Sequence, residues 1–213
     1  PFLSYGNASY DSYLNDNTHG SGKFRTYGLG LMVRVDRKDG MWYEGSLQGG
    51  RVKSDYDGSI YAGINSSNTY WAGHFAAGKD IQLKDDAKIT PYLRYFWSHQ
   101  GDVTAHLNTG EDYDFSEVNS HRTRLGFRYT KQSNAGGEFY TGLALEYEFS
   151  GSAHASYQGY ETPSPSLKGA SGMLELGYRF MPADGNMRYD LRLMGWQGKR
   201  RGLSGDLGVK WMF

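Results

Sequence analysis

The sequence predicts an all-β protein: an antiparallel up-and-down transmembrane β-barrel of the outer-membrane type. About ten strands are present, in a single domain over residues 1–213. Three observations carry that prediction. Apolar and polar residues alternate with period two in nearly every stretch, the mark of a strand with two unlike faces. The apolar face is long and rich in aromatics, and no segment reads as a helix that could cover it. The connections alternate short and long, as in barrels with tight turns at one rim and long loops at the other.

Ten strands follow in order: 2–12, 24–36, 41–54, 68–82, 88–100, 117–131, 137–150, 167–181, 187–198 and 202–213. Pro1-Phe2-Leu3 opens the first as a strand and not as a secretory leader. In the fifth, Leu93, Tyr95 and Trp97 oppose Tyr92, Arg94 and Phe96. In the sixth, Arg122, Arg124, Gly126 and Arg128 oppose Thr123, Leu125, Phe127 and Tyr129. In the seventh, Leu143, Leu145, Tyr147 and Phe149 oppose Ala144, Glu146 and Glu148. In the ninth, Arg188, Asp190 and Arg192 oppose Tyr189, Leu191 and Leu193. The tenth runs to the chain end with Leu203, Gly205, Leu207, Val209, Trp211 and Phe213 on one face.

The intervening segments sort by length. Gly198–Gly202 is tight, Pro182–Gly185 short, Gly151–Ser166 long, Gln132–Gly136 short and Gly101–Ser116 long. Lys84–Asp86 is short, Asp55–Ser67 long, Arg37–Gly40 short and Leu14–Gly22 longer again. With the chain end on the periplasmic side, every long segment falls on the outside. Only Gly198–Gly202 breaks the size rule. An even number of strands returns Pro1 to the periplasmic side as well.

Composition narrows the class. No run approaches 18 apolar residues, so a transmembrane helix is excluded. Barrel strands alternate lipid-facing and lumen-facing residues, so each gives only a weak hydropathy signal. Tyrosines number 18 against 10 phenylalanines and 5 tryptophans, which suits aromatic girdles at two membrane interfaces. There are no cysteines, so disulfides and thiolate metal sites are excluded. Lysine plus arginine and aspartate plus glutamate are both 23, with no basic stripe to bind nucleic acid.

The polar faces carry full charges. Arg122, Arg124 and Arg128 sit on one strand, and Glu146 and Glu148 on the next, where antiparallel neighbours can pair them. Glu44, Arg94, Glu175, Arg179, Arg188, Asp190, Arg192 and Lys210 join the same lumen lining. Three nearby arginines would keep Glu146 and Glu148 ionised, which argues against acid–base catalysis by that pair. The six histidines, His19, His74, His99, His106, His121 and His154, are scattered and read as surface residues; only His99 and His106 share a loop region. No metal site or cofactor is expected. Asp55-Tyr-Asp-Gly58 resembles the start of a calcium loop but lacks the later glutamate, and reads as an ordinary loop. Gly28, Gly30, Gly45, Gly49 and Gly50 would leave room in the wall for an object in the lumen.

Several segments resemble the β-domain of bacterial autotransporters, the translocator of type V secretion. They are Tyr43–Tyr56, Phe115–Tyr129, Tyr140–Phe149, Ser166–Gly177 and Gly195–Gly205, taken with the terminal Asp206, Gly208, Trp211 and Phe213. That last set is similar to the C-terminal signal read by the barrel assembly machinery. The resemblance implies a bacterial outer-membrane barrel of twelve strands, of which this chain holds the last ten. The first hairpin, the linker helix and the passenger would then lie upstream. It also implies partners: outer-membrane lipid, the assembly machinery, and the protein's own passenger and linker helix. The terminal strand would close the barrel. Without the first hairpin, 2–12 and 203–213 would remain as edges unless the ten strands re-close on a smaller radius.

Two other readings share the alternation. One is a self-contained ten-strand outer-membrane pore or surface protease, with Asp102, His106 and Asp112 as its catalytic candidates. The other is a soluble carbohydrate-binding β-sandwich with Tyr and Trp platforms. The terminal signal makes its own prediction. Phe213→Ser should reduce membrane assembly far more than Met212→Ser. Equal insertion of both variants, read as heat-modifiable mobility of membrane fractions, would remove the assignment.

Overall fold

The computed structural model describes residues 1–13, 19–58, 64–106, 110–133, 136–162, 164–182 and 186–211. Its strands are β1 (Phe2–Tyr13), β2 (His19–Asp36), β3 (Met41–Gly58), β4 (Ile64–Lys79), β5 (Ile81–Gln82), β6 (Ala87–Gln100), β7 (Val103–His106) and β8 (Asp112–Phe115). They continue with β9 (Val118–Gln132), β10 (Gly137–Glu148), β11 (Ala155–Tyr157), β12 (Tyr160–Glu161), β13 (Gly169–Phe180), β14 (Met187–Gly198) and β15 (Gly202–Trp211). No helix occurs among the described residues.

Ten long strands form one wall in the order β1-β2-β3-β4-β6-β9-β10-β13-β14-β15, with β5 added beside β6. Every ladder is antiparallel. Sequence neighbours are wall neighbours throughout, which is the up-and-down topology expected. The wall strands run from 10 to 18 residues. About 9–11 suffice to cross a bilayer at the usual tilt.

The wall curls toward its charged face. Arg124 on β9 lies over the Trp196 ring on β14, 4.9 Å from its centroid, although β10 and β13 stand between them in the sheet. A small core sits inside the curl: Trp42, Ala76, Tyr92, Ala144, Met173 and Trp196. The convex face is the apolar one. Leu145 is 71% exposed and Leu203 is 91% exposed, and Leu29, Leu125, Phe127, Leu143, Leu174 and Leu191 are exposed with them. This inverts a sandwich, whose apolar faces meet in the interior. A continuous apolar exterior of this extent marks a surface that meets lipid or a partner.

Among the described residues β1 and β15 stand at the two ends of the wall with no ladder between them, the two edges expected of ten strands without the first hairpin. Two expectations change. Asp55–Gly58 is not loop but the end of β3, paired with residues 20–23 of β2. The segment 68–82 is not one strand. It breaks at Asp80 into β4 and β5.

The long segments 101–116 and 151–166 also hold strands the alternation did not reveal. β7, β8, β11 and β12 form a second sheet in the order β12-β11-β8-β7. Pairing of β8 with β11 joins two segments that are distant in sequence, and stacks Tyr113 on Tyr157 at 4.9 Å. Both long segments therefore leave the wall at the same rim, as their lengths implied.

At the other rim the turn 37–40 is tied to the break in the next hairpin. Asp80 N donates to Gly40 O at 2.8 Å, and Gly40 has a φ of +82°. A Cβ on Gly40 would lie 2.5 Å from the Asp80 carbonyl oxygen. Gly40→Ala therefore meets both a left-handed backbone and a backbone obstacle. It should cost about 1–3 kcal/mol, read as a lowered urea midpoint of the folded wall. An unchanged midpoint would mean that this rim relaxes freely.

Candidate functional site

The concave face is a charged lumen, built by strand parity. In β9 and β10 the register sets Arg124 opposite Glu146 and Arg122 opposite Glu148. Glu146 is 4% exposed and collects three arginines. Arg124 donates to its Oε2 through Nη2 at 2.8 Å and Nε at 3.0 Å; Arg200 Nη1 reaches Oε1 at 3.4 Å and Arg122 Nη1 at 3.7 Å. Glu148 accepts from Ser120 Oγ at 2.6 Å, His121 N at 2.9 Å and Ser150 N at 3.1 Å. Aromatic rings pack against these cations: Arg124 and Arg122 over Phe96, Arg200 over Trp196 at 4.2 Å. A cavity of about 290 Å³ lies among Ser120, Arg122, Glu146, Glu148, Ser171 and Arg200.

Further along the same strands a second network forms, toward the rim of the short turns. Arg128 pairs with Glu175 at 2.5 Å and lies over the Tyr140 ring at 4.6 Å. Tyr140 is fully buried, and its hydroxyl donates to Asp190 Oδ1 at 2.5 Å. Arg179 joins Asp190 at 3.1 Å and also Glu138, which Arg188 meets at 3.2 Å. Glu44 accepts from Arg34 at 3.3 Å and contacts His74 Nε2 at 3.0 Å. Arg192 pairs with Asp206 at 3.0 Å. At the rim, burial raises the Asp80 carboxyl, but Lys88 and Thr90 donate to it and hold it below its ordinary range. A cavity of about 670 Å³ opens here, with lining residues from β2 round to β15, among them Arg94, Arg128, Arg179, Arg188, Asp190 and Lys210.

The structure places Arg94, Arg128, Arg179, Arg188, Asp190 and Lys210 around the larger cavity, Arg122, Glu146 and Glu148 around the smaller one, and Glu44, Arg124, Glu175 and Arg192 in the ion pairs above. Several participants were not expected. Arg34, Glu138 and Tyr140 follow from the parity of strands already assigned. Arg200 lies in the tight connection before β15, where no alternation exists to place it. His74 is not a surface residue; it is half-buried between Ser46 Oγ at 2.6 Å and Glu44. His99 is not in a loop with His106 but in β6, contacting Asn119.

The glycines do not leave lumen space. The Phe2 ring covers Gly30, Tyr70 and Ser4 cover Gly28, and the Tyr70 ring with backbone of β2 covers Gly50. Gly49 faces outward under Trp71 and Gly45 faces outward beside Phe75. The room goes to neighbouring side chains, which lets strands approach closely.

Of the terminal signal residues, Asp206 is ion-paired in the lumen, Gly208 lines the larger cavity and Trp211 points outward, 66% exposed. Phe213 lies outside the described residues. Of the catalytic candidates, His106 Nδ1 and Asp112 Oδ1 form an exposed cross-strand pair at 2.5 Å in the loop sheet, while Asp102 is exposed before β7.

A curled antiparallel wall, apolar outside and charged inside, defines the class as a transmembrane β-barrel. Within that class the chain belongs to the autotransporter β-domain family, whose model matches residues 2–187. Barrels of this family reside in the bacterial outer membrane. The crystal structure of the transport unit of the autotransporter AIDA-I from Escherichia coli has the same fold. The match has a TM-score of 0.76 and 15% identity, and covers 99% of this chain and 74% of that one. No curated protein matches by sequence.

Proposed function

We propose that this chain forms the wall of an outer-membrane translocator that exports or anchors a passenger segment N-terminal to it. The observation that supports this best is the pairing of a lipid-compatible exterior with a lumen of matched charges. A polar chain crossing a bilayer needs a path where its backbone groups find water or partners. Here arginine–carboxylate pairs line the concave face around a small core of apolar and aromatic side chains. The convex leucines and aromatics contact outer-membrane lipid. The Phe213 strand is the segment that the assembly machinery reads. A linker helix upstream of Pro1 occupies the lumen after export. The chain performs transport and no covalent step.

The test is topological. In cells expressing the full-length protein, an external protease should remove the segment upstream of Pro1 while the wall stays protected and heat-modifiable. A folded, membrane-inserted wall whose upstream segment stays inaccessible would sink the proposal.

A further inference from the structure

We propose that the larger lumen cavity is an oxyanion site centred on Arg94 and Lys210. Its occupant is a side-chain carboxylate of a polypeptide segment lying in the lumen, an assignment that rests on the translocator reading. Seven cations and three carboxylates line this cavity of about 670 Å³. Five of the cations are matched. Arg34 meets Asp36 and Glu44, Lys88 meets Asp80, and Arg128 meets Glu175. Arg179 and Arg188 share Glu138, and Arg179 also meets Asp190. Among the described residues Arg94 and Lys210 are the two cavity cations with no ion pair.

Arg94 is the more telling of the two. Its Nε, like those of Arg122 and Arg128, is buried without a hydrogen-bond acceptor, but of the three only Arg94 has no carboxylate within ion-pair distance among the described residues. Its guanidinium is held above the Tyr92 ring, 5.1 Å from the centroid, and that ring is itself buried. A buried charged donor without an acceptor is costly, and an incoming anion removes the cost. A guanidinium presents its N–H groups as a planar fork that fits a carboxylate or a phosphate in bidentate fashion. Lys210 faces the same space from β15, five strands farther round the wall. It adds a compact charge without geometric demand. Carboxylate and phosphate share this chemistry. The cavity's size favours the polypeptide source, since it holds far more than one oxyanion.

The experiment uses the full-length protein in planar bilayers, with folding verified by heat-modifiable mobility. Hexaglutamate, hexalysine and inorganic phosphate are added in turn while current is recorded. For a conducting channel, hexaglutamate should block at least ten-fold more tightly than phosphate, and hexalysine should not block. Arg94→Gln with Lys210→Gln should weaken the hexaglutamate block at least ten-fold. Arg25→Gln, which breaks a half-exposed pair with Asp55 outside the cavity, should leave it unchanged. Equal block of the double variant and the parent, or equal block by hexalysine, overturns the site. Equal block by phosphate and hexaglutamate overturns the polypeptide source. A parent channel that is silent because its lumen is filled should conduct in the double variant; silence in both overturns the proposal. External proteolysis of the passenger on the same strains separates the two ideas. Export with an unaltered channel sinks only the site, whereas an unexported passenger sinks the translocator reading.

Discussion

Glu146→Gln should destabilise the folded wall by about 3–5 kcal/mol, the range for removing one partner of a buried ion pair. The substitution keeps the side-chain volume, so no cavity is created. What changes is the charge that Arg124 faces. That guanidinium is 12% exposed and has Glu146 as its carboxylate partner through two hydrogen bonds. Arg122 keeps Glu148, and Arg200 is 46% exposed and can turn to water. The cost therefore falls mainly on Arg124. The measurement is the urea midpoint of the refolded wall at constant slope. Asp206→Asn provides the contrast. Its pair with Arg192 is 47% and 34% exposed, so about 0–1 kcal/mol is expected. Similar midpoints for the two variants would mean that the lumen is wet enough to solvate Arg124, and that these pairs do not hold the wall.

Leu143→Arg should cost about 2–4 kcal/mol in a bilayer and sharply lower the membrane-inserted fraction. Leu143 lies midway along β10, points outward, and is flanked by Phe127 and Leu174 on the adjacent strands. An arginine there places a charge near the bilayer midplane. The same change at Leu203, the second residue of β15, lies near a membrane interface and should cost about 0–1 kcal/mol. The gradient between the two sites carries the information. On a surface bathed by water, neither arginine would be penalised, and Leu143→Arg would raise solubility. Equal tolerance at both positions would remove lipid as the partner of the convex face.

The ten wall strands were legible because each keeps its alternation over many residues. Leu143, Leu145 and Tyr147 on one side and Ala144, Glu146 and Glu148 on the other leave β10 a single consistent phase. Once the phase is known, the pairing of Arg124 with Glu146 follows from register alone. The loop strands were not legible. Val103–His106 and Ala155–Tyr157 are too short for a period to show, and what orders them is mutual pairing across a large sequence separation. His74 was misread although its face was legible. A histidine in a strand reveals its face only through the parity of its neighbours; Trp71 and Phe75 mark the outward face of β4, which leaves Ala72, His74 and Ala76 on the concave one.

The candidate site divides along the same line. Which residues line the lumen is a property of each strand, set by period-two geometry. Which of them lack a partner is not. Arg94 and Lys210 look like every other lumen cation until five strands of curl bring them to one cavity and the intervening carboxylates are claimed by Arg34, Arg128, Arg179 and Arg188.

By itself, the sequence determined the long wall strands, most of their faces and the rim at which each connection lies, because these are written in local periodicity and spacing, and the family resemblance rests on the order of several motif segments. The tertiary structure alone decided that 68–82 breaks at Asp80, that two distant loops build a second sheet, and that two cavity cations have no ion pair. Those outcomes depend on how far a twisted sheet curls and on which side chains then compete for the same partners, and neither is encoded in any one strand.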